Sequence, residues 1–270
     1  MISVNSLSGG KTSSYMAVHY PADYNIFSIV RIEDVKCSPK DSSIVKYVSD
    51  KINKDFIATA ENDLTLYLMR DLEQKIGSEI VWVTGETFEQ IIKRKGKYLP
   101  NQLRRYCTTE MKLRPIFDWW MQNIGEKINM SIGYRYDEME RADRFTESFK
   151  GITGKRGTRN KWETIQWRKG NFPLIENKII HPTIIKWANE SGLMFPGDSN
   201  CVGCFHKPLQ QLRKNFDDQS LKMNWFSEIE KTSKSTWKQD GTYYEFSKLP
   251  LQMDFNFGVG SGCNGGFCTD

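Results

Sequence analysis

Short apolar runs alternate with longer amphipathic segments along the first half of the chain, and that alternation narrows the possible architectures to one class. Residues 1–7 (MISVNSL), 25–32 (NIFSIVRI), 55–60 (DFIATA), 79–85 (EIVWVTG) and 128–135 (INMSIGYR) have the length and β-branched content of strands. Between them, 11–20, 41–52, 64–77, 87–96 and 109–125 carry helical spacing. Parallel strands need crossover connections, so this order predicts a parallel sheet with helices on both faces. Ligands of such sheets bind at the carboxyl ends of the strands, where the loop after the first strand and Gly133 would both lie.

With 270 residues, of which 39% are hydrophobic, the chain can bury the core of one large domain, or of one domain with an appended lobe. The pattern divides it into a nucleotide-binding α/β unit at 1–141, a basic insertion over the site at 142–180 and a cysteine-rich portion at 181–270. The stretch 142–180 is rich in Lys, Arg, Gly and Thr and loses all periodicity, so it is expected to be irregular and partly mobile. A helix at about 182–192, a cysteine segment and an irregular tail are expected after it.

The first strand runs into "SLSGGKTSS". Glycines let backbone N–H groups approach an anion, a lysine adds a point charge, and the following helix presents its positive end. Ser8, Gly9, Gly10, Lys11, Thr12 and Ser13 thus read as a phosphate cradle, although a glycine–serine turn capping the helix would use the same residues. The spacing is neither G-x-x-x-x-G-K-[ST] nor G-x-G-x-x-G. It resembles the "SGGKDS" PP-loop of the ATP pyrophosphatases, the adenine nucleotide alpha-hydrolase superfamily, with Thr12 where that family usually has Asp.

Two further segments are similar to the phosphoadenylyl-sulfate (PAPS) reductase branch of that superfamily. "GYRYDEMERADR" places Gly133, Arg135, Asp137, Glu138 and Arg141 in a G-x-R-x-D-E-x-x-R pattern, and "HPTIIKWANESGLMFPGDSNCVGC" resembles the branch's Pro–Trp helix leading to a cysteine pair. The resemblance covers most of residues 1–210. It implies a three-layer, Rossmann-like (HUP-type) α/β fold that binds ATP with Mg²⁺, with Lys11 and Asp137 acting in catalysis. Carboxylates beside a cradle can hold Mg²⁺ and arginines can hold phosphate oxygens; Asp137, Glu138 and Arg141 would equally suit a salt-bridged helix start.

There is neither an apolar run of about 18 residues nor a charged-then-apolar leader, so a cytoplasmic protein with no membrane partner is expected. Six cysteines in such a chain argue for reduced thiols with a metal or redox role. Cys201-x-x-Cys204 can chelate a metal or form a redox pair. "YCTTEMKLRP" resembles the "CCxxRKxxP" segment of the adenylyl-sulfate (APS) reductases, whose paired cysteines join a C-x-x-C to hold a [4Fe-4S] cluster. Cys107 matches the first of that pair and Thr108 replaces the second. By that resemblance Cys107, Cys201, Cys204 and a tail cysteine, Cys263, would hold the cluster. An open iron, four-thiolate zinc and metal-free thiols remain alternatives. Cys268 sits where sulfonucleotide reductases carry their nucleophilic cysteine, and Cys37 reads as a core or loop thiol.

The net charge of +5 suits a polyanionic ligand and also an ordinary basic surface. Lys155, Arg156, Arg159, Lys161, Arg168 and Lys169 could grip a nucleic-acid backbone or the phosphates of a nucleotide. His206 and Lys207 could reach a cluster or a phosphate, Arg104 and Arg105 an anion, and Trp119 and Trp120 read as packing residues. The resemblance points to ATP cleavage at the α phosphate followed by sulfur transfer to tRNA, DNA or a small acceptor. A sulfonucleotide reductase and a catalytically silent nucleotide- or metal-binding module are the alternatives. Expected partners are the adenine nucleotide, the acceptor, a sulfur or electron donor and a second copy of the chain.

Overall fold

A computed structural model describes residues 1–251. The chain runs β1 (Ser3–Leu7), α1 (Lys11–His19), β2 (Tyr24–Ser28), β3 (Arg31–Ile32), α2 (Ser42–Ile52), β4 (Ala58–Thr59), α3 (Leu64–Ile76), β5 (Ile80–Val83) and α4 (Phe88–Arg94). It continues with α5 (Tyr106–Thr108), a π turn (Thr109–Leu113), α6 (Arg114–Asn123), β6 (Ile128–Ile132), a 3₁₀ turn (Tyr136–Glu138) and α7 (Met139–Ala142). Then come β7 (Ser148–Arg156), β8 (Arg159–Gln166), β9 (Arg168–Asn171), α8 (Pro173–Glu176), α9 (His181–Glu190), α10 (Leu209–Asp218), α11 (Ser220–Lys231) and α12 (Tyr243–Ser247). Among the described residues no helix is long and apolar enough to cross a membrane.

Five strands form one sheet in the order β5-β2-β1-β6-β9, every neighbouring pair parallel. Adjacent residues of each strand feed opposite layers. Leu7, Phe27 and Trp82 pack with Ile44, Val48, Leu68 and Leu72 of α2 and α3. Val4, Ile26 and Val83 pack with Phe117 and Trp120 of α6. The structure is therefore the three-layer α/β fold expected. The chain leaves β1 toward β2 and β5, then returns to β1's other edge with β6, which makes the β1/β6 carboxyl ends a topological switch point.

Three expectations about local structure are corrected. Residues 55–60 do not add a strand to the main sheet: only Ala58–Thr59 is extended, antiparallel to β3, with the Ala60 N–H and the Thr59 hydroxyl both donating to the Val30 carbonyl. The stretch 142–180 is not irregular. It forms the antiparallel β7–β8 hairpin and then β9, the sheet's fifth strand. Most hairpin side chains face solvent on both sides, so no apolar alternation marks the strands. The carboxyl-terminal stretch likewise contains α10, α11 and α12, whose Leu212, Phe226, Tyr243 and Phe246 share a core with Phe88 and Met111. Cys263 and Cys268 lie outside the described residues.

Candidate nucleotide site and thiol pocket

Gly10 caps α1 with no side-chain acceptor, so the first-turn N–H groups keep their donor capacity at the end of β1. The loop is fixed from within: the Ser8 N–H donates to Ser13 Oγ at 3.2 Å, and the Ser14 hydroxyl donates to the Gly10 carbonyl at 3.0 Å. Gly9 has φ +73°, and a Cβ there would sit 2.3 Å from Thr65 Cγ2. A Cβ on Gly10 would stand 2.7 Å from Ser199 Cβ. The two glycines therefore answer separate demands, a left-handed turn at one and close approach of a facing loop at the other.

A cavity opens over this loop. Ser8, Gly10, Lys11, Thr12 and Ser13 line one wall, and Ile132, Gly133, Arg135, Glu138 and Arg141 line the wall that follows β6. Gly133 packs on the start of α1, where a Cβ would lie 3.3 Å from the Ser13 nitrogen. Lys11 has no ion pair among the described residues. Burial pushes its pKa down, opposed in part by Asp198, so an anion arriving beside it would restore what desolvation removes.

The β6 wall is charged and internally paired. Arg135 Nε lies 3.0 Å from Asp137 and Arg135 Nη1 3.2 Å from Glu138, while Arg141 Nη1 reaches Glu138 at 2.7 Å. Asp137 is partly buried, which opposes its charge, but the bonds from Arg135 hold its carboxyl below the usual range. Asp137 does not line the cavity; Glu138 is the carboxylate that does. For Mg²⁺ the cavity thus offers Glu138 from the β6 wall and the hydroxyls of Thr12 and Ser13 from the loop wall, a donor set that fits an ion completed by phosphate oxygens. Tucked beside this wall is His181 at the start of α9. Its two ring nitrogens are buried and have no hydrogen-bond partner, and burial together with Arg135 lowers its pKa.

Behind the cradle a second, more apolar pocket is lined by Cys107, Cys201 and Cys204 with Met111, Phe205 and Phe226. Its walls follow from local chemistry. Pro115 lacks the N–H that would bond the Met111 carbonyl, so the helix opens into a π turn and the Ser28 hydroxyl takes that carbonyl at 2.8 Å. The Cys201–Cys204 loop is clamped at its own backbone. The Val202 N–H donates to Ala60 O at 2.8 Å, Asn215 Nδ2 to Val202 O at 2.7 Å, and the Tyr243 hydroxyl to Gly203 O at 3.0 Å. Gly203 admits the Phe226 ring, which a Cβ would meet at 2.5 Å.

Burial pushes the thiols up, Cys107 to about 11, and raises Cys201 and Cys204 as well. Without a cation they stay protonated; a bound metal would take them as thiolates. Three half-buried cysteines in one pocket supply the donor type of an iron–sulfur cluster or zinc. Among the described residues, however, no three Cys, His, Asp or Glu side chains stand at metal-holding spacing. The expected fourth ligand, Cys263, lies outside the described residues.

Lys112 and Asn200 line both the cradle and the thiol pocket. Burial opposes the charge on Lys112, but the Glu61 carboxylate at 3.6 Å, with the three cysteines when they are thiolates, raises its pKa above the usual value. Neither residue, nor Ser199 or the fully buried Glu61, was marked by the sequence pattern. Lys112 lay within a segment of helical spacing, and its signal was its place five residues after Cys107. Of the other candidates, His206 lines the thiol pocket, where burial lowers its pKa to about 4. Lys207 is buried against Asp198 at 2.7 Å and pins the loop. Arg104 lies over the Tyr98 ring, Trp120 is in the core, and Cys37 is a buried thiol.

No family model matches the chain, and no curated protein matches it. Solved structures similar to it include a phosphoadenylyl-sulfate (PAPS) reductase from Candida auris in its phosphate complex, at a TM-score of 0.38 and 11% identity. That likeness covers 72% of this chain and 75% of the other.

Proposed function

We propose that the chain binds ATP in the cradle, cleaves it at the α phosphate and supports sulfur transfer from the adjoining thiol pocket. One observation carries this reading: a loop with free helix N–H groups and Lys11 lies at the switch point of the sheet, and the pocket holding three cysteines opens beside it across Lys112 and Asn200. Lys11 and the α1 amides would take the departing pyrophosphate, and Arg135 and Arg141 the α phosphate. An acceptor oxygen attacks the α phosphorus, the bond to pyrophosphate breaks with its electron pair, and sulfur then displaces AMP with that oxygen. Lys112, charged between the two pockets, would offset negative charge on both sulfur and phosphate.

Mg²⁺ would be held by Glu138 and the phosphates and would neutralise charge on the leaving group. A cluster or zinc would be held by Cys107, Cys201, Cys204 and, as proposed, Cys263, and would supply a site that binds and polarises sulfur. A sulfonucleotide reductase is the second reading, favoured by one observation: among the described residues Glu138 is the one carboxylate on the cavity wall. Anaerobic incubation with Mg²⁺ and α-phosphate-labelled ATP separates the readings. AMP and pyrophosphate are expected, with water attacking the α phosphorus in place of the acceptor. Inert ATP with sulfite released from APS or PAPS would overturn the first reading and make Cys268 the candidate nucleophile. Binding without turnover of any of the three would leave a silent module.

A further inference from the structure

The β7–β8 hairpin carries much of the molecule's charge asymmetry. Residues 148–166 contain Lys150, Lys155, Arg156, Arg159 and Lys161 against the single acid Glu163, a net of +4 in a chain whose whole formal charge is +5. Every residue from 154 to 164 is exposed. Lys161 is paired with Glu163 at 2.8 Å, but Lys150, Lys155, Arg156 and Arg159 have no ion pair among the described residues. Across the ribbon tip Lys155 faces Asn160 and Arg156 faces Arg159, so the cations converge around the turn at Gly157. Like charges opposite each other destabilise a two-stranded ribbon, and a polyanion would relieve that.

The base of the ribbon is anchored. Phe149 packs on Phe117 of α6 at 4.9 Å, and Gly151 lies so close to that ring that a Cβ would sit 2.4 Å from it. Trp162, half-exposed, has the Arg114 guanidinium 5.4 Å from its ring centre. From Trp162 to the tip, five residues at ~3.3 Å each give a ribbon about 16 Å long. An exposed indole nearer the anchored base and unpaired cations at the tip are the two parts of a single-stranded nucleic-acid site: a stacking platform and a backbone track.

We infer that the β7–β8 ribbon binds single-stranded nucleic acid, its cations on the phosphates and Trp162 stacked on a base. The inference does not depend on what the cradle binds.

The test is fluorescence anisotropy with a labelled single-stranded RNA of mixed sequence and the full chain, between about 50 and 200 mM salt. Lys155→Ala/Arg156→Ala/Arg159→Ala is expected to weaken binding strongly and to reduce the slope of log K against log salt by about 2, at ~0.7 per phosphate contact. Trp162→Ala is expected to weaken it about tenfold with the slope retained. All four substitutions are on exposed side chains, and an unchanged unfolding midpoint checks the fold. An unchanged slope in the triple variant, tighter binding of duplex DNA than of the single strand, or a Trp162→Ala protein that binds as the wild type would each overturn the inference. ATP titration of the triple variant keeps the two readings apart: RNA binding lost with ATP binding intact supports the ribbon site, and ATP binding absent from every protein refutes the cradle alone.

Discussion

Replacing Gly9 by Ala perturbs the opening loop in two ways whose sizes can be worked out separately. At φ +73° an alanine costs roughly 1–2 kcal/mol relative to glycine. Its methyl would also sit 2.3 Å from Thr65 Cγ2, on a side chain 1% exposed at the start of α3, and overpacking of that kind costs about 1–3 kcal/mol. Together these give about 2–5 kcal/mol, a fall in Tm of ~2–4 °C for each kcal/mol. Thr65→Ser alone removes a buried methyl and costs about 1 kcal/mol. In the double variant the clashing atom is gone, the next neighbours of the new Cβ are Thr65 Cβ at 3.6 Å and Phe27 Cε2 at 3.7 Å, and the added methyl fills the space vacated. Only the backbone cost should remain. Urea unfolding of the four proteins should show a favourable coupling of at least about 1 kcal/mol. Additivity to within ~0.5 kcal/mol would refute the loop geometry.

Three other outcomes follow from the site. His181 has a lowered folded pKa, so the unfolded chain binds its proton first. The stability it contributes is present above the ordinary value of 6.5 and is lost as pH falls below that toward its folded value, with a slope of at most about 1.4 kcal/mol per pH unit. His181→Asn should flatten that part of the stability profile, and an unchanged profile would show that the imidazole titrates as in solvent. Under anaerobic purification Cys201→Ser and Cys204→Ser should lower the iron or zinc content, whereas Cys37→Ser should leave it unchanged; equal content in all three would dissociate the metal from the pocket. Gly133→Ala, whose Cβ would press on the start of α1 at 3.3 Å, should weaken nucleotide binding by about tenfold with a small effect on Tm, as measured by calorimetry.

The fold was legible where burial has a period. β1, β2, β5 and β6 read as short apolar runs because helices cover both faces of the sheet, the helices beside them repeat apolar residues at helical spacing, and the glycine loop and Gly133 could be set at strand ends from chain order alone. The β7–β8 ribbon buries little, so its strands carry no pattern to read. β9 was hidden for another reason. Arg168 is buried without a carboxylate: its guanidinium lies 4.2 Å from the Phe145 ring centre and donates to Thr146 O at 3.1 Å, a solution that charge patterning does not reveal. α10 has helical spacing in Leu209, Leu212 and Phe216, which pack into the core with Phe226 and Met223 of α11.

The thiol pocket was half legible. Cys107, Cys201 and Cys204 line one pocket but do not stand at metal-holding spacing, while Lys112 and Asn200, which join that pocket to the cradle, are ordinary residues in sequence and acquire their place only through the π turn and the clamped loop. Asp137 shows the opposite case. Its motif position made it a candidate for the cavity, and Arg135 holds it outside the wall.

The most direct test of the central claim is calorimetric titration of the wild-type and Lys11→Ala proteins with ATP and Mg²⁺, with both unfolding midpoints measured alongside. The cradle predicts saturable binding by the wild type and a loss of at least about tenfold in the variant at an unchanged midpoint. Equal affinity in the two proteins would contradict it and place the nucleotide, if one binds, elsewhere on the molecule.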